Sequence, residues 1–164
     1  MTSRSTAPRH TALDDGLRLL ARRAHSRDEL RLKLLRRRHS PEEIAGAIER
    51  LVGMGYLDDQ AFAESLVRRR RKSRGSRAVA AELASKGVDR ETAEGALAGS
   101  GPEAEVDGAT SLARRLSARL AWASERELME ALWPRLSRAG FSPGAIGAAC
   151  RTVAAEGRHE RLVG

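Results

Sequence analysis

With 164 residues, 41% of them hydrophobic and 32% charged, the chain is long enough for one ordinary domain and too apolar to stay disordered. Its apolar side is lopsided: 28 Ala and 20 Leu stand against 7 Val, 3 Ile and five aromatic residues, which excludes an all-β or doubly wound sheet fold and predicts an all-α one. A net charge of +8 with a pI near 11.0 calls for an acidic partner, either nucleic acid or a nucleoprotein surface.

Residues 1–11 read as a disordered polar tail. Leu13, Leu17, Leu20 and Ala24 then form the apolar stripe of a first helix. Ser26-Arg-Asp-Glu29 is a capping box, in which the Ser hydroxyl and the Glu carboxylate satisfy orphan amides at a helix start. Ser40-Pro41 opens the next helix, with proline where its missing N–H costs nothing. Ile44, Ile48 and Leu51 form that helix's stripe, and Tyr56 and Phe62 read as core anchors. Further stripes run through Phe62 and Leu66, Val79 and Leu83, and Leu112, Leu116 and Leu120. Ser100-Gly101-Pro102 is the best linker candidate. Ser124-Glu-Arg-Glu127 is another capping box. Pro134, deep in the helix it opens, should kink or split that helix. Ser142-Pro143 starts the last helix, and 157–164 should be a frayed tail.

Internal repetition organises these elements. Setting Leu34, Leu83 and Leu136 in register aligns His39 with Val88 and Phe141, and Ser40 with Asp89 and Ser142. The same register aligns Ile48 with Leu97 and Cys150. The chain therefore reads as three tandem three-helix repeats, at 12–55, 56–99 and 103–156, forming an elongated, curved molecule. Gly46, Gly95 and Gly147 fall at similar places in the repeats, where close helix packing would explain them.

No catalytic constellation emerges. His10, His25, His39 and His159 pair neither with one another nor with Cys150 at a metal-ligand spacing. The lone cysteine excludes an intramolecular disulfide and any Cys-based zinc cluster, and its register marks a buried, inert thiol. His39 reads as a partly buried residue between helices. No glycine-rich phosphate loop is present, and the acidic pairs Asp14-Asp15, Glu42-Glu43 and Asp58-Asp59 sit at helix starts, where the dipole favours them. Neither enzyme activity nor a cofactor is expected. No run approaches the roughly 18 apolar residues of a membrane span, and residues 1–10 hold no apolar stretch, so a cytoplasmic protein is expected.

The basic run is different. Residues 68–77 read Arg-Arg-Arg-Arg-Lys-Ser-Arg-Gly-Ser-Arg, with no acid. Five consecutive cations girdle a helix and repel one another, a cost that a counter-charged surface would remove. Arg68, Arg69, Arg70, Arg71, Lys72, Arg74 and Arg77 are therefore the candidate partner-binding or DNA-binding residues. Aromatic side chains do not interleave with them, so a nucleic-acid contact would rest on the backbone phosphates rather than on the bases.

Several stretches resemble the RecX family of regulatory proteins. They are Leu17 to Leu30 with Lys33-Leu34, then Gly55-Tyr-Leu-Asp-Asp-Gln-Ala-Phe-Ala63, Arg77 with Glu82-Leu83, Lys86-Gly-Val88, and Arg138-Ala-Gly-Phe-Ser142. The likeness covers residues 12–155 and departs from the family at Pro134, where the family keeps an unbroken helix. It implies tandem three-helix repeats, a cytoplasmic location, no enzyme activity, and binding in the groove of RecA–DNA filaments; a monomer is expected. Inhibition of RecA's ATPase, strand exchange and coprotease function would follow, with direct contact to the DNA backbone as a second mode. The competing reading is a sequence-nonspecific DNA-binding protein that acts independently of RecA.

Overall fold

Most helices begin where a short polar side chain accepts an orphan amide; the two that start at Ser76, after Gly75, and at Gly101 do not. In the computed structural model, which describes residues 10–163 (side chains to 159), nine helices and no strands lie among the described residues. They are α1 (Ala12–Arg22), α2 (Arg27–Arg36), α3 (Pro41–Gly53), α4 (Asp59–Arg70), α5 (Ser76–Ser85), α6 (Arg90–Ala98), α7 (Gly101–Ser117), α8 (Glu125–Arg138) and α9 (Pro143–Val163). Ser26, Ser40, Asp89 and Ser124 accept amides at the starts of α2, α3, α6 and α8. The expected boxes at Ser26 and Ser124 are only half made, because Glu29 turns to Arg23 and Lys86, and Glu127 accepts the Ala123 amide instead. Thr11 caps α1. Its hydroxyl accepts the Asp14 amide at 3.1 Å while Asp14 accepts the Thr11 amide at 3.2 Å, so the polar tail stops short of Thr11. The rest of that expected tail, 1–9, lies outside the described residues.

The helix ends explain the repeat. Arg38, Gly87 and Gly140 each take a left-handed backbone, with φ of 66°, 72° and 90°. At the first and last of these the chain closes a Schellman motif: His39 N–H reaches Leu34 O at 3.4 Å, and Phe141 N–H reaches Leu136 O at 3.2 Å. The aligned residues His39, Val88 and Phe141 follow these turns directly.

By its internal contacts the chain forms two compact units. One runs to Phe62 and takes in Lys86–Val88; the other holds Ala63–Ser85 and everything from Asp89 onward. In the first unit α1, α2 and α3 bury Leu30, Leu34, Ile44, Leu51 and Leu57. Gly16 permits this packing, because a Cβ there would stand 2.8 Å from the Leu51 Cδ1 methyl. In the second unit α7, α8 and α9 close on Leu128, Leu132, Leu136, Phe141, Ile146 and Cys150.

Several expectations give way here. Gly46 and Gly95 have open space where a Cβ would project, and Gly147 meets only the end of the Arg151 side chain. Close helix packing does not explain those glycines. Tyr56 is 60% exposed rather than a core anchor. The chain turns at Gly55 (φ 74°), and Leu57 takes the buried place. Pro134 neither splits nor ends α8: its ring lies on the exposed face and the helix runs through it to Arg138. The expected linker at 100–102 is a tight junction, with Gly101 at φ 70° and Pro102 already in the first turn of α7. The frayed end expected from residue 157 is helical, α9 continuing to Val163. Trp122 supports it there by lying against Gly157, where a Cβ would meet the ring at 2.6 Å.

Candidate partner-binding surface

The basic run belongs to the second unit and spans the last turn of α4, the turn after it and the start of α5. That turn is built into the unit rather than hung on it. Gly75 N–H donates to Ala139 O at 2.9 Å, and Arg77 N–H donates to Gly140 O at 3.3 Å. A Cβ on Gly75 would collide with the Gly140–Phe141 backbone, and one on Gly108 would collide with the Arg71 carbonyl. Glycine at both places lets the segment lie directly on α7 and on the end of α8. Glu105 of α7 completes the joint by accepting the Ser76 amide at 3.3 Å and the Ser142 amide at 3.2 Å.

This joint sorts the seven candidate cations. Arg70 forks onto Glu82, with Nε at 3.0 Å and Nη2 at 2.8 Å, and that pairing raises the pKa of its guanidinium. Arg77 donates to Ser137 O at 2.8 Å, satisfying a carbonyl at the end of α8. Arg69 rests on Ser65 Oγ at 2.7 Å, and Arg68 lies 4.0 Å from Glu64. Arg71, Lys72 and Arg74 are exposed, and among the described residues no carboxylate lies within ion-pair distance of them. Arg70 and Arg77 are thus engaged in the fold, and the others present their charge outward.

One cation that sequence reasoning missed joins this group. Arg115 of α7 donates to Lys72 O at 2.9 Å and is exposed beside the basic turn. The Arg114-Arg115 doublet gave the only signal, and Arg114 is spent on Glu156 at 2.6 Å. Burial pushes the Cys150 thiol pKa up, as an inert core position requires. Among the described residues no cluster of His, Cys, Asp and Glu could hold a metal ion. No described helix is long and apolar enough to cross a membrane.

Polar chemistry in the first unit is inward-facing. Asp15 accepts Arg37 Nη1 at 2.6 Å and contacts His39 Nε2 at 2.9 Å, joining α1 to the turn before α3. Burial opposes the Asp15 charge, but these two partners outweigh it and hold its pKa below the usual carboxylate range. Glu29 is a second hub, meeting Arg23 Nη2 at 2.5 Å, His25 Nδ1 at 3.1 Å and Lys86 Nζ at 3.8 Å. Ser26 Oγ donates to the Lys86 carbonyl as well as capping α2, which fastens 86–88 into this unit. Both clusters join elements of this unit, and Asp15 and His39 also line an open cleft with Arg37, Glu43 and Arg50.

Comparison with known proteins meets this architecture. Residues 12–51 match the family model of the first three-helix domain of RecX, and residues 58–97 match that of the second. A "Regulatory protein RecX" of Mycobacterium leprae is 36% identical over 148 residues, which is 88% of this chain and 85% of that protein. Another of that name, from Mycolicibacterium vanbaalenii, is 48% identical over 101 residues. The matched stretch is 60% of this chain and only 54% of that relative, so the chain spans about half its length. The crystal structure of RecX from Lactobacillus salivarius superposes with a TM-score of 0.77 at 25% identity, covering 86% of this chain and 93% of that one. The chain belongs to the RecX family of regulatory proteins.

Proposed function

We propose that this protein is a negative regulator of the RecA recombinase. It binds in the groove of RecA–DNA filaments and inhibits their ATPase, strand-exchange and coprotease activities. It does so as a cytoplasmic monomer, in DNA recombination, repair and the SOS response. The single observation that carries this reading is the succession of two RecX three-helix domains along the chain. Repeats at 12–55, 56–99 and 103–156 would touch successive filament subunits, gaining avidity from several modest contacts. The unpaired cations Arg71, Lys72 and Arg74 supply the electrostatic contact, assisted by Arg68 and Arg69. Arg70 and Arg77 hold the segment in shape.

The test is a titration of the protein into RecA on single-stranded DNA, following ATP hydrolysis, with naked-DNA binding measured in the same salt. Inhibition at concentrations that barely bind naked DNA supports the reading. No effect on RecA together with strong, steeply salt-dependent DNA binding overturns it in favour of RecA-independent, sequence-nonspecific DNA binding, which the +8 charge also favours. Arg71→Glu with Arg74→Glu should weaken filament binding and flatten its salt dependence while leaving the thermal midpoint unchanged. Arg70→Glu should lower that midpoint, because it sets two carboxylates against each other.

A further inference from the structure

The turn between α4 and α5 is exposed, firmly seated and short of acids. Its backbone lies against α7, where the Arg71 carbonyl occupies the space that a Cβ on Gly108 would take. Seven residues on, along the same face of that helix, Arg115 donates its Nη2 to the Lys72 carbonyl at 2.9 Å. That bond uses one of the five N–H donors of the guanidinium and holds the rest beside the turn. Among the described residues no carboxylate lies within ion-pair distance of Arg115, as none does of Arg71, Lys72 or Arg74.

A groove of about 190 Å³ runs between the turn and the helix, with Arg71 and Lys72 on one side and Gly108 and Ser111 on the other. Asp107 is the one acid that lines it. The acids nearby are already engaged, Glu82 by Arg70 and Glu105 by the Ser76 and Ser142 amides. Four cations against one carboxylate select an anionic ligand.

The kind of anion follows from what surrounds the charge. Among the described residues, none of the exposed large hydrophobic side chains lies on this turn or on α7. A protein interface is centred on apolar or aromatic anchors, and stacking on bases needs exposed rings. Clustered cations with neither fit a phosphodiester backbone, which presents a row of charges whatever its sequence.

We propose that Arg71, Lys72, Arg74 and Arg115 form one binding site for the phosphodiester backbone of a nucleic acid, with Arg115 a contact supplied by a second helix. This deepens the functional reading above, on which it rests for the setting: these cations meet the DNA of the filament rather than acidic side chains of its protein. A site this small holds naked DNA weakly at physiological salt, and preference for the filament comes from the contacts that the other repeats add.

The test is the anisotropy of a labelled oligothymidine of about 16 nucleotides, titrated with the full-length protein between about 50 mM and about 200 mM salt. Each phosphate contact on a single strand steepens the fall of log affinity with log salt by about 0.7, so four contacts predict a slope of about −3. Arg115→Gln should make that slope shallower by about 0.7, and so should Arg71→Gln. Arg126→Gln, which removes the same charge from the exposed face of α8, should leave it unchanged. Arg71 and Arg115 are exposed, so circular dichroism should show both variants folded. An unchanged slope in Arg115→Gln, an equal effect of Arg126→Gln, or no binding of the wild-type protein at about 50 mM salt overturns the inference. Polyglutamate should compete far less well than unlabelled oligothymidine; equal competition marks a site for acidic protein and overturns it too.

The RecA ATPase titration judges the functional reading separately. If RecA is unaffected, that reading fails and the oligonucleotide slopes still judge the site. If RecA is inhibited while the slopes of the variants match wild type, the site fails and the reading stands.

Discussion

The ends of α2 and α8 are the same device built from opposite chemistry. Both helices close in a Schellman turn, and both are followed by a serine cap and a proline. In the second unit the left-handed position is Gly140, and the next residue is Phe141, 2% exposed against Leu132 and Leu136 in one apolar core. In the first unit the same places hold Arg38 and His39, and His39 points its Nε2 at Asp15, which also holds Arg37. A plug of hydrocarbon in one repeat is replaced by an ion-pair latch in the other. The plug draws on the hydrophobic effect and is indifferent to acid, whereas the latch depends on a charge held against burial. The repeat therefore conserves backbone geometry and leaves the means of closure free.

The largest effect should come from removing the plug. Phe141→Ala should destabilise the second unit by about 3–5 kcal/mol, from lost transfer energy plus the cavity left among aliphatic neighbours. Urea denaturation followed by far-ultraviolet circular dichroism reads it, and a loss below about 1 kcal/mol would mean that the Phe141 ring is dispensable.

Cutting the latch should cost less. Asp15→Ala strands Arg37 and His39 and should cost about 2 kcal/mol, the outer part of the cluster being open to water. Restoring an apolar closure with Asp15→Leu and His39→Phe should recover most of that loss, as buried ion pairs often tolerate hydrophobic replacement. A double variant no better than Asp15→Ala would show that the first repeat has no room for the plug.

Arg38→Gly should move stability the other way. At φ 66° a side chain pays for a backbone that glycine adopts freely, so the substitution should stabilise the first unit by up to about 1 kcal/mol. A lower thermal midpoint would show that the Arg38 side chain contributes more than its turn costs.

How far the sequence announces this follows from the range of the forces involved. Local signals were legible: the serine and aspartate caps, the glycine stops and the three- and four-residue stripes all act within one or two turns. The register of His39, Val88 and Phe141 was visible too, because the turn that precedes them has a fixed length. What escaped was long-range or steric. Arg70 finds Glu82 twelve positions away, and Glu105 joins Ser76 to Ser142 across 29 and 37 positions. Nothing in the run 68–77 distinguishes Arg70 from Arg71; only the packed helix shows which one faces an acid. Tyr56 misled because its place in the apolar stripe suggested an anchor, yet the turn at Gly55 buries the adjacent Leu57 instead.

The smallest expected effect concerns acid. Burial pushes the Glu29 carboxyl up, but hydrogen bonds from Arg23 and His25 and the nearby Lys86 charge outweigh it and bring its pKa to about 2. Its folded pKa is thus below the unfolded value, so its stabilisation is complete above about pH 5 and lost as pH falls toward about 2. His25 adds to the same slope. Burial lowers its pKa against the pull of Glu29, so the unfolded chain binds its proton first and stability begins to fall below about pH 6.5. At neutral pH Glu29→Gln should cost only about 1 kcal/mol, solvent screening having weakened the exposed Arg23 contact. The stronger sign is a shallower loss of thermal midpoint between pH 5 and pH 3 than wild type shows. An equal slope in both proteins would mean that Asp15, not Glu29, governs the acid response of the first unit.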